Sequence, residues 1–209
     1  MTYLNIKRLF DIVLSLLGIV ILSPLFVVLI IAIKIDSKGP ILFKQNRIGI
    51  HMSHFKILKF RTMRIDTPKD TPTHLLENPD KYITRMGKFL RKTSLDELPQ
   101  IWNIFIGQMS IIGPRPALWN QYDLIEEREK YKANDIKPGL TGWAQINGRD
   151  ELPIELKAKL DGYYVKHLNF WMDCKCFIMT IVSVLKSDGY VEGAEVKEEI
   201  QITKRLKVK

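Results

Sequence analysis

The chain has 209 residues, a formal net charge of +9 and a pI near 9.5. This length suffices for one domain with a real core, and the excess of cations predicts an anionic partner: nucleic acid, an anionic membrane surface or a phosphorylated substrate. Cys174 and Cys176 lie two residues apart in an apolar stretch, and no Cys/His cluster has zinc spacing. We therefore expect reduced thiols, and neither a structural disulfide nor structural zinc.

The first predicted element is an apolar segment, residues 12–33, in which 22 consecutive residues carry no charge. A helix of this length can cross a bilayer. Ser23 and Pro24 lie in its middle, and the proline predicts a kink because it removes a backbone hydrogen bond. Asp11 lies at the edge of the segment, and we expect it at the membrane interface because a charge deep in the bilayer is costly.

Basic residues flank both ends of this segment: Lys7 and Arg8 precede it, and Lys34 and Lys38 follow it. The positive-inside bias therefore selects neither orientation, and it is satisfied if both ends stay on the cytoplasmic side. That arrangement requires a re-entrant helix-break-helix over residues 1–36. The residues by themselves leave this hairpin and a kinked single span equally open.

The remainder predicts a mixed α/β fold of the α+β kind, helix-rich with a small β-hairpin. We expect the hairpin over residues 41–63, around Gly49, and helices over residues 87–92, 95–105, 122–131 and 168–185. The proline-containing loop 66–80 is either a lid or a surface excursion. We assign residues 37–190 to a compact cytosolic catalytic domain and residues 191–209 to a charged, mobile tail.

The predicted helix over residues 168–185 contains Asp173 and Lys175, which argue against a second membrane span. Its start, with Phe170, Trp171 and Met172, can either dip into the membrane interface or pack against the core.

Two segments hold cations in constrained positions. Lys59 and Arg61 are two residues apart on a predicted strand, so they share a face that suits phosphate or carboxylate; an ordinary exposed edge is the alternative. Arg115 lies between Pro114 and Pro116. The prolines pre-set its backbone, so the arginine loses little freedom when its guanidinium binds a phosphate; a rigid turn with an incidental arginine is the alternative.

The segment KPGLTGWAQINGR, residues 137–149, adds candidate nucleotide contacts. Its glycines allow close approach to a ligand, and Gln145, Asn147 and Arg149 offer donors. Neither a P-loop nor a dinucleotide-binding glycine pattern occurs in the chain.

The segment KTSLDELPQ, residues 92–100, supplies two adjacent carboxylates, Asp96 and Glu97, among cations. One interpretation is a capping box, in which Ser94 caps a helix and Glu97 reaches back to it. The other is chemistry, because paired carboxylates can bind Mg²⁺ and one of them can attack phosphorus. A helix N-terminus would also keep Asp96 ionised.

Four segments together resemble the bacterial sugar transferases that act as monotopic phosphoglycosyl transferases: FKQNRIG, KFRTM, SLDELPQIWNIFIGQMSIIGPRPAL and KPGLTGWAQINGR. The resemblance covers nearly the whole chain, including the basic N-terminus and the Ser-Pro pair. It is closest to the short enzymes of capsule, exopolysaccharide and other surface-glycan assembly.

The resemblance implies transfer of a sugar phosphate from a UDP-sugar to polyprenyl (undecaprenyl) phosphate at the cytoplasmic face of the cell membrane, with release of UMP. It implies a ping-pong reaction through a covalent phosphosugar on Asp96, with Glu97 assisting and Mg²⁺ held by Asp96. It also implies that Arg115 contacts phosphate, that Arg91 and Arg149 contact substrate, and that residues 1–36 are re-entrant.

The sequence leaves the donor sugar and the oligomeric state open. An N-acetylated 6-deoxy-hexosamine is our expectation for the sugar, and a homodimer is compatible with the chain. A membrane-tethered basic module that binds nucleic acid or anionic lipid without catalysis is the competing hypothesis. The cations flank acids and prolines instead of forming one stripe, which argues against nucleic acid.

Overall fold

A computed structural model describes residues 3–67, 81–148 and 152–185 of the chain. The helices are α1 (Tyr3–Asp36), α2 (Arg85–Lys92), α3 (Gln100–Phe105), α4 (Tyr122–Glu129), α5 (Trp143–Ile146), α6 (Ile154–Lys166) and α7 (Phe170–Leu185). The strands are β1 (Leu42–Ile48), β2 (His54–Phe60), β3 (Ser110–Ile112) and β4 (Gly139–Thr141). The fold is therefore mixed and rich in helix, as predicted.

Helix α1 has 34 residues and is long and apolar enough to cross a membrane, judged by length and composition. It continues without a non-helical break through Ser23 and Pro24, so two separate half-helices are not seen. The local reason is a substitute hydrogen bond. Pro24 cannot donate to the carbonyl of Val20, but the Ser23 hydroxyl donates to that oxygen at 2.8 Å.

One face of α1 packs along the remainder of the protein over most of the length of the helix. Asp11 and Ser15 are buried near its start, and Leu29 and Ile33 are buried near its end. Gly18, between them, lies against the side chain of Ile101 in α3. The other faces of α1 expose large apolar side chains: Leu9, Phe10, Val13, Leu14, Leu16, Leu17, Val20, Ile21, Val27, Val28, Ile31 and Ile35.

Strands β1 and β2 form the predicted antiparallel hairpin, with a register from Leu42↔Phe60 to Ile48↔His54. Both of its faces meet the core, because Phe60 lies an odd number of residues from Phe55 and Ile57 along β2. Phe60 packs with Leu29, Ile33 and Leu90. On the other face, Phe55 and Ile57 pack with Ile104 of α3 and with Met109, which precedes β3. The hairpin thereby connects α1 to the centre of the molecule.

A second, parallel pair of strands, β3 and β4, was not predicted; Ser110 pairs with Gly139, and Ile112 with Thr141. Helix α6 was not predicted either. It packs on α4, where Arg128 and Asp161 form a buried ion pair at 2.6 Å.

The last predicted helix, α7, packs one face against the core, and contact of its other face with the membrane interface stays a prediction. Met172 and Cys176 are buried against β3 and α6, whereas Phe170, Trp171 and Phe177 are exposed.

Some predictions lie outside the described residues. These are the loop from residue 68 to residue 80 and the tail 191–209. The division of the chain at residues 36 and 190 stays a prediction.

Candidate active site

The two acids lie on a short 3₁₀ turn, Leu95–Glu97, between α2 and α3. Ser94 precedes it in the left-handed conformation, with φ of 56°, and its side chain makes no capping bond. The capping-box interpretation was therefore wrong. Glu97 does not reach back to Ser94 because its carboxylate is bound by two cations, which are stronger partners than a single backbone N–H.

Glu97 is held by a lysine from β2 and by the arginine between the two prolines. Lys59 Nζ donates to Glu97 Oε1 at 2.7 Å, and Arg115 Nη2 donates to the same oxygen at 2.7 Å. Burial opposes ionisation of Glu97, but the charges and hydrogen bonds of Arg115 and Lys59 outweigh it and hold the pKa of Glu97 well below its usual range. Glu97 is therefore a fixed anion that positions two cations.

Asp96 differs from its neighbour. No donor among the described residues is hydrogen-bonded to its carboxylate. Burial raises the pKa of Asp96, and the Glu97 charge adds to this, while the charges of Lys59, Arg91 and Arg115 oppose it. The carboxylate is surrounded by cations without being bound by them, which leaves its oxygens available to a ligand.

Strand β1 supports the Pro-Arg-Pro segment from the other side. Arg47 Nη1 donates to the carbonyl of Pro116 at 3.0 Å, and the Ile48 amide donates to Ala117 at 3.0 Å. These bonds give Arg47 and Ile48 of the FKQNRIG segment a structural role. The sequence alone did not single out residues of this segment as functional. Arg91, from α2, binds Thr62 Oγ1 through Nε at 3.0 Å.

Other predicted site residues lie elsewhere in the fold or bind backbone carbonyls. Arg61 lies beyond the end of β2, is buried, and donates to the Ser37 and Lys38 carbonyls just after α1. Asn147 donates to the Trp143 carbonyl at 2.7 Å. Gln145 has both amide atoms buried without a hydrogen-bond partner among the described residues, and Arg149 lies outside them.

Comparison with known proteins identifies the family. The model of the bacterial sugar transferase family matches residues 2–187. The chain belongs to the bacterial sugar transferase family.

Three relatives are similar to this sugar transferase over most of its length. It is 37% identical to the uncharacterized sugar transferase EpsL of Bacillus subtilis, over 93% of this chain and 94% of that protein. It is 39% identical to the UDP-glucose:undecaprenyl-phosphate glucose-1-phosphate transferase of Escherichia coli, over 84% of this chain and 39% of that protein. It is 35% identical to the galactosyl transferase CpsE of Streptococcus agalactiae, over 90% of this chain and 44% of that protein. The sugar transferase thus spans about two-fifths of the length of the latter two relatives.

The acids of this sugar transferase fit a magnesium ion that is shared with a substrate. Among the described residues, no group of three or more His, Cys, Asp or Glu side chains could enclose a metal. Mg²⁺ is commonly bound by one or two carboxylates together with substrate phosphates, so an enclosing cage is not needed. The open carboxylate of Asp96 is the suitable ligand, because Lys59 and Arg115 occupy Glu97.

The basic N-terminus of the sugar transferase contacts the rest of the molecule. Lys7 forms an ion pair with Asp173 of α7 at 2.6 Å, and Asp173 also accepts hydrogen bonds from Tyr3 and Tyr164. Sequence reasoning missed Asp173 as a partner of α1. The available signal was the single acid of a largely apolar helix, which requires a cationic or hydrogen-bonding partner when it is buried.

Proposed function

We propose that this protein moves a sugar 1-phosphate from a UDP-sugar to polyprenyl phosphate and releases UMP. The observation that carries the proposal is the pair of carboxylates with opposite surroundings: Glu97 fixed between Lys59 and Arg115, and Asp96 open beside it. Phosphoryl transfer requires positioning and charge neutralisation more than acid–base power, and this arrangement supplies both. The names of the relatives support the substrate classes.

In the first step, a carboxylate oxygen of Asp96 attacks the phosphorus that bears the sugar. A bond forms between this oxygen and phosphorus, and the bond from phosphorus to the oxygen bridging the two phosphates breaks. UMP departs with the bridging oxygen and its electron pair, leaving an aspartyl phosphosugar. Lys59, Arg91 and Arg115 surround Asp96 with positive charge, which stabilises negative charge on the diphosphate as it redistributes.

In the second step, an oxygen of polyprenyl phosphate attacks the same phosphorus. The bond between phosphorus and the Asp96 oxygen breaks, the carboxylate is regenerated, and the product is a polyprenyl diphosphate sugar. Any proton on the attacking phosphate leaves to solvent. Glu97 is a poor proton carrier because its pKa is held low, so we assign it the task of holding Lys59 and Arg115.

Asp96 would hold Mg²⁺ together with the diphosphate of the donor. When bound, the ion would neutralise charge on the phosphate oxygens.

We further propose that the protein is monotopic, with both ends of α1 at the cytoplasmic face. Arg8, near the start of α1, donates to carbonyls of α3. Asp36, at the end of α1, accepts a hydrogen bond from the Met86 amide of α2 at 3.1 Å. A helix that crossed the bilayer would place these two contacts on opposite sides of it, whereas a helix that bends at Pro24 without breaking, and so enters and leaves on one side, keeps both with one catalytic domain.

The test is UMP release by the full-length protein in lipid nanodiscs, with Mg²⁺, polyprenyl phosphate and a panel of UDP-sugars. The panel includes UDP-glucose, UDP-galactose and an N-acetylated 6-deoxy-hexosamine donor, which is the sugar that we propose. We expect release with one donor and its loss in Asp96→Asn. Asp66→Asn is the matched control, because Asp66 is exposed and pairs with exposed Arg64.

The same preparation tests the competing hypothesis. Salt-sensitive binding of DNA or anionic lipid, together with no UMP release from any donor, would replace the enzyme by a binding module.

A further inference from the structure

Asp11 is buried where α1 meets β3. It was expected at the membrane interface, but only 4% of its surface is exposed, and its Oδ1 accepts two hydrogen bonds from the catalytic part of the chain. The donors are the Ile111 amide at 2.9 Å and the Ser110 hydroxyl at 3.1 Å. A residue that served only to anchor a helix in lipid would not require a carboxylate in such a place.

The Ile111 amide is a group that the small sheet does not satisfy. Ser110 and Ile112 pair with β4, so the residue between them directs its N–H to the other side of the strand. An unpaired buried amide is costly, and Asp11 supplies its acceptor. The position of β3 thus depends on α1.

Strand β3 leads directly to the arginine of the active site. It ends at Ile112, and Arg115 follows after one glycine and one proline. Arg115 in turn binds Glu97. A displacement of β3 would therefore be transmitted along a short, proline-stiffened segment to the dyad.

Arg8 makes a corresponding contact on the other side of the site. It donates to the carbonyls of Ile104 and Phe105 at 2.7 and 2.8 Å, at the end of α3. Both carbonyls lie in the last turn of α3, where a helix leaves carbonyls without an i+4 amide partner, and the Ile104 oxygen also accepts from the Gly107 amide at 3.0 Å. Helix α3 begins immediately after the segment that carries the dyad.

We infer that Asp11 is a positioning residue for phosphosugar transfer, and that the start of α1 is part of the scaffold that fixes the dyad relative to Arg115. The inference rests on the proposed function and extends it. In this account α1 has two roles: it attaches the protein to the membrane, and it supports β3 and α3. Asp11 contributes only to the second role.

The experiment compares Asp11→Ala, Asp11→Asn and the control Asn5→Ala in the full-length protein. Asparagine retains an oxygen that accepts from Ile111 and Ser110, whereas alanine has none. Asn5 is exposed on the same helix. The measurements are membrane fractionation, kcat and KM for the donor UDP-sugar, and hydrogen exchange of the peptide that contains Ile111.

For Asp11→Ala we expect normal membrane retention, a KM within about twofold of wild type and a kcat lower by about tenfold or more, because misplacement by a fraction of an ångström is costly to catalysis. The Ile111 amide should exchange faster. Asp11→Asn and Asn5→Ala should resemble wild type in all three measurements.

Three results would overturn the inference: an unchanged kcat in Asp11→Ala, joint loss of kcat and membrane retention, or an asparagine variant no better than the alanine variant. If the wild-type protein released no UMP at all, the proposed function would fail. Hydrogen exchange would still decide the structural part, since faster exchange of Ile111 in Asp11→Ala alone supports it and equal exchange in all variants contradicts it.

Discussion

Asp96 and Glu97 are neighbours in the chain, yet their surroundings favour opposite protonation behaviour. Lys59 and Arg115 bind Glu97 and lower its pKa, while burial raises the pKa of Asp96. From the sequence we expected an aspartate of low pKa at a helix N-terminus; the structure places it on a partly buried 3₁₀ turn instead. A carboxylate of raised pKa is the more basic nucleophile once it is ionised.

This difference predicts the pH dependence of the first step. In the proposed mechanism Asp96 attacks only when deprotonated, so kcat/KM for the UDP-sugar should fall on the acid side with an apparent pKa above the ordinary value of 3.8. Lys59→Met removes the charge that most lowers the pKa of Asp96, so the acid limb should move to higher pH. Lys130→Met, at an exposed ion pair, is the control. A limb that stayed in place or moved to lower pH would contradict this assignment.

Much of the site could be predicted at the residue scale, because adjacent carboxylates and a proline-held arginine are local features of the sequence. The partners could not. Glu97 meets Lys59 only because β2 folds over the dyad, and Arg61, two residues further on, leaves the strand and binds the end of α1.

At the scale of elements, α2 depends on a glycine for its close packing. A Cβ on Gly87 would lie 2.0 Å from the carbonyl oxygen of Thr62, which is backbone and cannot move aside easily. Gly87→Ala should therefore destabilise the protein by about 1–3 kcal/mol, measured by thermal unfolding in detergent. Gly18→Ala is the matched control, because its Cβ would meet Ile101 at an ordinary 3.5 Å. Equal unfolding temperatures for the two variants would refute this account of α2.

The contact between α4 and α6 depends on a buried charge pair. Asp161→Ala would leave the Arg128 guanidinium, 4% exposed, without its partner, and should cost about 3–5 kcal/mol in the free energy of unfolding. Glu127→Ala on the same helix is the control. Its partner Lys130 is 60% exposed, so we expect a much smaller loss than for Asp161→Ala. Similar losses in the free energy of unfolding for the two variants, measured with denaturant, would show that burial of the ion pair does not determine its contribution.

Elements with a clear local sequence pattern could be predicted. Elements that are short, or that pair with residues distant in the chain, could not. The hairpin, α2, α4 and α7 follow from alternation, charge pattern and length. Strands β3 and β4 have three residues each and pair across the whole of α4, so neither shows a period of its own.

At the scale of the whole molecule, α1 is both the most apolar element and an integral part of the fold. Its length is about 50 Å if straight, and both ends contact the catalytic part of the chain. This arrangement predicts that both ends are accessible from the same side of the membrane.

Cysteine labelling tests that topology. Asn5→Cys and Lys38→Cys place single thiols at exposed positions near each end of α1, in a background without Cys174 and Cys176. We expect an impermeant reagent to label both only when the cytoplasmic side is open. Ser23→Cys, in the middle of the helix, should resist labelling from either side. Labelling of residues 5 and 38 from opposite sides would establish a spanning helix.

The central claim, a covalent phosphosugar on Asp96, is tested most directly by intact-mass spectrometry. The full-length protein is incubated with Mg²⁺ and its preferred UDP-sugar in the absence of polyprenyl phosphate. We predict a mass increase of one sugar phosphate, release of about one UMP per protein molecule, and neither in Asp96→Asn. UMP release that required the lipid acceptor and left the protein mass unchanged would contradict the covalent mechanism.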